Sequence, residues 1–73
     1  MTRDQWIAAF AAELGVDPPS PRDVAIILDL AGVAAHASER TAAPVACWVG
    51  AQTGRSAESI REAARKVSPD EAS

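Results

Sequence analysis

Seventy-three residues with a net charge of −3 and a single cysteine leave room for one domain and no disulfide framework. The acidic balance, with a pI near 4.9, argues against broad affinity for nucleic acid or anionic lipid. No stretch approaches the ~20 apolar residues that span a bilayer.

A chain this short buries only about 60% of its unfolded surface, so its margin of stability is expected to be small. The lone Cys47 and the absence of a secretory signal in "MTRDQWIAAF" point to a reducing, cytoplasmic setting. Aromatic residues are scarce: Trp6, Phe10 and Trp48. The core is therefore expected to be built from Leu, Ile, Val and Ala, with these three rings as its large pieces.

The first helix is predicted over 3–14. Thr2 and Gln5 have the spacing of a capping box, and Gly15 stands where a helix end wants a left-handed residue. Trp6, Ile7, Phe10 and Leu14 fall on one apolar stripe. "VDPPSPRD" then reads as a loop, because Pro18, Pro19 and Pro21 forbid a continuous helix. Ser20 as N-cap, Pro21 at the first position and Asp23 in the first turn start a second helix, predicted over 21–38. Its stripe is Val24, Ile27, Leu28, Ala31 and Ala35, widened by Ile26, Leu30 and Val33. A helix so broadly apolar is expected to be central.

Thr41 is the expected cap of a third helix over 42–53, with Pro44 in its first turn and Gly54 as its stop. Val45, Trp48, Val49 and Gln52 share a face of it. Ser56 caps a fourth helix over 57–67, with Ile60, Ala63, Ala64 and Val67 facing inward and Glu62–Lys66 placed for an outer i,i+4 pair. No strand pattern or repeat interrupts this. The expected fold is all-α: a compact four-helix domain over 1–67 with short loops and a flexible tail over 68–73.

The polar cluster nearest to chemistry is His36, Glu39 and Arg40. At helical spacing, i, i+3 and i+4 bring such side chains to one surface. A metal site needs three or four ligands, and the chain has one His and one Cys; no metal and no cofactor are expected. A Cys–His pair would need an exposed Cys47, which instead sits in the apolar "PVACWVG". The plainer reading is a helix end: His36 and Arg40 complement the macrodipole, and Glu39 pairs with a neighbouring arginine. The tryptophans read as core rather than as partner hot spots.

"WVGAQTGRSAESIREAARKV" has the spacing of a helix-turn-helix, with Arg55, Arg61, Arg65 and Lys66 available for phosphates. Glu58 and Glu62 on the same segment and the acidic chain oppose that reading, so nucleic acid is not the expected partner. Nor is a membrane.

"WIAAFAAELGVD", followed by Leu28 to Ala31, His36, Glu39-Arg40, Ala42-Ala43-Pro44 and Gly54, resembles a small bacterial helical domain of unknown function. That domain occurs alone or fused to molybdenum-cofactor guanylyltransferase-like nucleotidyltransferases. The resemblance spans roughly Trp6 to Gly54. The chain departs from the pattern at Gly32-Val33, where a charged pair is usual, and at Thr41, where proline commonly follows Glu-Arg. The resemblance implies a link to molybdenum-cofactor maturation.

The expected function is then a non-catalytic accessory module that docks on a nucleotidyltransferase or a molybdoenzyme. The candidate surface is Asp29, His36, Glu39, Arg40, Thr41 and Pro44. The alternatives are a homo-oligomerising module, visible as a homodimer, and a small DNA-binding regulator.

Overall fold

The computed structural model of the chain describes residues 1–68. The tail expected over 68–73 lies, apart from Ser68, outside these residues. Four helices follow one another: α1 (Arg3–Leu14), α2 (Pro21–Ala37), α3 (Ala42–Ala51) and α4 (Ala57–Val67). No strand occurs among the described residues, so the all-α, four-helix expectation holds.

The helix ends follow local chemistry. The Gln5 N–H donates to Thr2 Oγ1 at 3.1 Å and the Thr2 N–H to Gln5 Oε1 at 2.9 Å, a reciprocal cap that satisfies two otherwise orphaned donors. Gly15 has φ 75. Its N–H donates to the Ala12 carbonyl and that of Val16 to the Ala11 carbonyl, which closes α1 in a Schellman motif. Ser20 Oγ accepts from the Asp23 N–H and Ser56 Oγ from the Ser59 N–H. Gly54, at φ 72, turns the chain between α3 and α4.

Two boundaries and one cap differ from expectation. Helix α2 stops at Ala37, with Ser38 outside it at φ −137, ψ −98. Helix α3 stops at Ala51, and 52–54 form a turn instead of its last residues. Thr41 makes no capping hydrogen bond; its backbone is already helical, at φ −69, ψ −13, and an extended residue is what directs a side chain onto the first amides.

Helix α2 is the hub: α3 and α4 both pack along it, whereas α1 has no comparable contact with any helix. The buried apolar side chains among the described residues are few: Ala11, Ile26 and Leu30. Ile26 and Leu30, one turn apart, form the centre of the core with half-buried Val33 beyond them. The residues expected to widen the stripe are thus its middle, and Leu28 is exposed.

Ion pairs brace α4 on α2. Asp29 Oδ2 accepts from Arg65 at 2.9 Å and from Arg61 at 3.1 Å, and Arg22 donates to Glu58 at 2.7 Å. The hydrogen bond to Arg22 and its charge lower the Glu58 pKa below the ordinary carboxylate value. Exposed pairs of this kind contribute little individually; they set how α4 sits along α2. The expected Glu62–Lys66 pair does not form.

Candidate functional site

The largest departure from expectation is the position of the rings. Trp6, Phe10 and Trp48 are 52%, 48% and 70% exposed, so they are not the core's large pieces. The reason lies in which residues let helices approach. Helix α1 buries Ala11 and half-buries Ile7, turning the Trp6–Phe10–Leu14 stripe outward. Helix α3 turns Ala43, Ala46, Cys47 and Gly50 inward and Val45, Trp48 and Val49 outward. Helix α4 half-buries Ile60, Ala63 and Ala64 but leaves Val67 exposed, against expectation. Small side chains allow close axes, and close axes exclude large rings from between them.

Gly50 makes this most concrete. It is buried, and a Cβ added there would overlap Ile60 Cγ2 of α4. The sequence reading missed this residue. Its signal was the spacing Ala46-x-x-x-Gly50, small residues one helical turn apart on one face.

The expected polar cluster divides. Asp29 is occupied by Arg61 and Arg65 and belongs to the α2–α4 brace. His36 lies exposed in the last turn of α2. Glu39 and Arg40 lie beyond that helix, so helical spacing does not join them to His36, and no hydrogen bond among the described residues does. Glu39 is not paired with an arginine; its Oε1 accepts from the Thr41 hydroxyl at 3.1 Å.

His36, Glu39, Arg40, Thr41 and Pro44 nevertheless gather at one place, the exposed α2–α3 junction. That junction continues onto the outer face of α3, where Thr41, Pro44, Val45 and Trp48 recur at helical spacing. A polar turn thus leads directly onto an apolar stripe that ends in the most exposed ring of the chain.

No group of three or more His, Cys, Asp or Glu able to hold a metal occurs among the described residues. Among the same residues, no helix is long and apolar enough to cross a membrane. Arg61 and Arg65, needed as phosphate contacts in a helix-turn-helix, are turned onto Asp29.

Cys47 is half-buried, and burial raises its thiol pKa above the ordinary 9.0. Thiolate, not thiol, is the nucleophile. Cys47 is therefore expected to react with a disulfide reagent at pH 8 more slowly than in urea-unfolded chain. Equal rates would show an open thiol.

Among the described residues, apolar concavities lie on both sides of α2. One, of about 320 Å³, lies between α1, the proline loop and the start of α2, with Ile7, Pro19 and Val24 among its walls. The other, of about 380 Å³, runs between α3 and α4 over Leu30.

A family model, the domain of unknown function DUF6457, matches residues 1–72, and the chain belongs to that family. No curated protein and no solved structure matches the chain.

Proposed function

We propose that this DUF6457 chain is a non-catalytic accessory module that docks on a partner protein through the α2–α3 junction and the outer face of α3. The single observation that carries the docking is Trp48, 70% exposed between exposed Val45 and Val49. A domain with so few buried apolar residues gains by covering its largest ring, which a partner can do. Tryptophan ringed by energetically minor polar contacts is the composition of an interface hot spot. Here His36, Arg40, Thr41 and Pro44 supply the rim, and the two basic groups suit an acidic margin on the partner.

The nature of the partner rests on the resemblance of "LDLAGVAAHASERTAAP" to a domain that accompanies molybdenum-cofactor nucleotidyltransferases. We infer that the partner is such a nucleotidyltransferase or a molybdoenzyme that receives its product. The whole chain would position that partner and leave the chemistry to it.

The test is biolayer interferometry of the purified chain against the molybdenum-cofactor guanylyltransferase of the same cell. Trp48→Ala should weaken binding at least ~30-fold, the loss of a hot spot, while Arg40→Glu should weaken it a few-fold through the association rate. Absence of binding by the wild-type chain to that enzyme and to the cell's molybdoenzymes would sink the cofactor link. Binding that survives Trp48→Ala in a folded variant would sink the surface.

A further inference from the structure

We propose that the chain forms a reciprocal dimer in which α1 of each copy lays its Trp6–Phe10–Leu14 stripe into the α3–α4 groove of the other. This goes beyond the partner docking above and centres on different residues, the two surfaces sharing only Val49 at their common edge.

Helix α1 offers a ridge without a seat. Trp6 and Phe10 stack with centroids 5.0 Å apart and planes at 23°, so the ridge is already ordered, yet both rings are about half exposed and Leu14 is 59% exposed. The groove is a seat without a ridge. Its floor is Leu30 and its walls include Val49, Ile60, Ala63, Ala64 and Val67. Val49 and Val67 are 56% and 85% exposed, so the walls are unfinished as well.

The two match in length. From Trp6 to Leu14 the stripe covers about 12 Å along its axis, and from Ile60 to Val67 the groove covers about 11 Å. They match in charge. The C-terminal turn of α1 carries no basic residue, while Glu13 and Asp17 flank its carbonyl end, where the helix dipole is negative. Arg55 lines the groove at the end next to Thr53. It bonds Ser59 and has no carboxylate partner among the described residues. The Leu14 end of α1 therefore seats toward Arg55.

The area buried calls for two contacts. With about 150–250 Å² for each aromatic side chain, the exposed part of the stripe with Val16 comes to roughly 400 Å². The groove offers less surface than the stripe, so two reciprocal contacts together bury roughly 1,000 Å², the least that a specific interface needs. One contact alone falls short, which favours a second copy of this chain as the occupant.

Sedimentation velocity at about 100 μM, where even a weak interface of this size is populated, should show a dimer. Phe10→Glu and Val67→Glu, both at exposed positions, should each raise the dissociation constant at least ~10-fold with helicity unchanged by circular dichroism. Mixed together, these two variants should associate with each other more tightly than either does with itself, because one ridge and one groove remain intact in the pair. Glu13→Arg and Arg55→Glu should each weaken the dimer, and their combination in one chain should restore it.

Trp48→Ala should leave the dimer intact, which separates this outcome from the partner reading. A wild-type monomer at that concentration overturns the proposal. So does a dimer that survives Phe10→Glu, or one that is lost with Phe10→Glu but kept with Val67→Glu, which would place ridge on ridge.

Discussion

Leu30→Ala is expected to leave the chain without a cooperative unfolding transition at 25 °C. Leu30 is the most buried apolar residue, 3% exposed, and it lies where α3 and α4 both meet α2. Truncating a leucine in such a position costs about 2–5 kcal/mol, the transfer of the lost methyls plus the cavity they leave. A core of this size rarely supplies more than about 3–5 kcal/mol, so the substitution removes most or all of the net stability. Urea titration followed by far-ultraviolet circular dichroism checks it, at one fixed protein concentration, because self-association would add stability by mass action. A sloping, non-sigmoidal curve is the expected result. A sigmoid displaced by only a few tenths molar would mean that the hub tolerates the cavity. Leu28→Ala, on an exposed position of the same helix, should instead change stability by less than about 1 kcal/mol.

Gly50→Val should destabilise by about 1–3 kcal/mol or more, and the same change at Gly32 should not. Gly50 has ordinary helical backbone, so φ is not what requires glycine there. Space is: an added Cβ overlaps Ile60 Cγ2, on the stiff β-branched part of that side chain. Overpacking of this kind costs about 1–3 kcal/mol. Gly50→Ala sets that cost against about 1 kcal/mol of helix propensity gained, so its net loss is smaller than that of valine.

Gly32, in the middle of α2, meets nothing within 4 Å of an added Cβ. Gly32→Ala should therefore stabilise the domain by up to about 1 kcal/mol. Thermal melts of the variants order the two sites. A double-mutant cycle of Gly50→Ala with Ile60→Val, which trims the δ-methyl but keeps Cγ2, and with Ile60→Leu, which moves the branch, assigns the clash. Rescue by leucine and not by valine is the expected pattern. Independence of the two positions would refute the close approach.

The cap and stop residues were legible because their chemistry is local. Thr2 with Gln5, Gly15, Ser20 with Pro21, and Ser56 each act on amides or carbonyls within a few residues, and the spans of α1 and α4 follow directly. Thr41 shows the limit of such reading: a capping residue works only if its backbone is extended, and here the turn that precedes α3 is already helical. The polar cluster was half legible for a related reason. His36, Glu39 and Arg40 lie around one exposed junction, but α2 ends at Ala37, before Glu39 and Arg40, and Asp29 is drawn away by two arginines more than thirty residues later in the chain.

By itself, then, the sequence determined the number of helices, most of their ends, and the central place of α2, whose apolar residues cover too much of its circumference for a surface helix. Which face α1 and α3 bury was decided by the tertiary structure alone, whereas the inner faces of α2 and α4 largely followed their apolar spacing. In α1 both the Trp6–Phe10–Leu14 stripe and the Ile7–Ala11 stripe are apolar, and hydrophobicity favours the first. Burial falls on the second, at Ala11, and α3 and α4 likewise meet their neighbours through alanine and glycine, at Ala46, Gly50 and Ala63. The bulk that such contacts cannot hold is left on the outside, and that is where the surfaces proposed for docking lie.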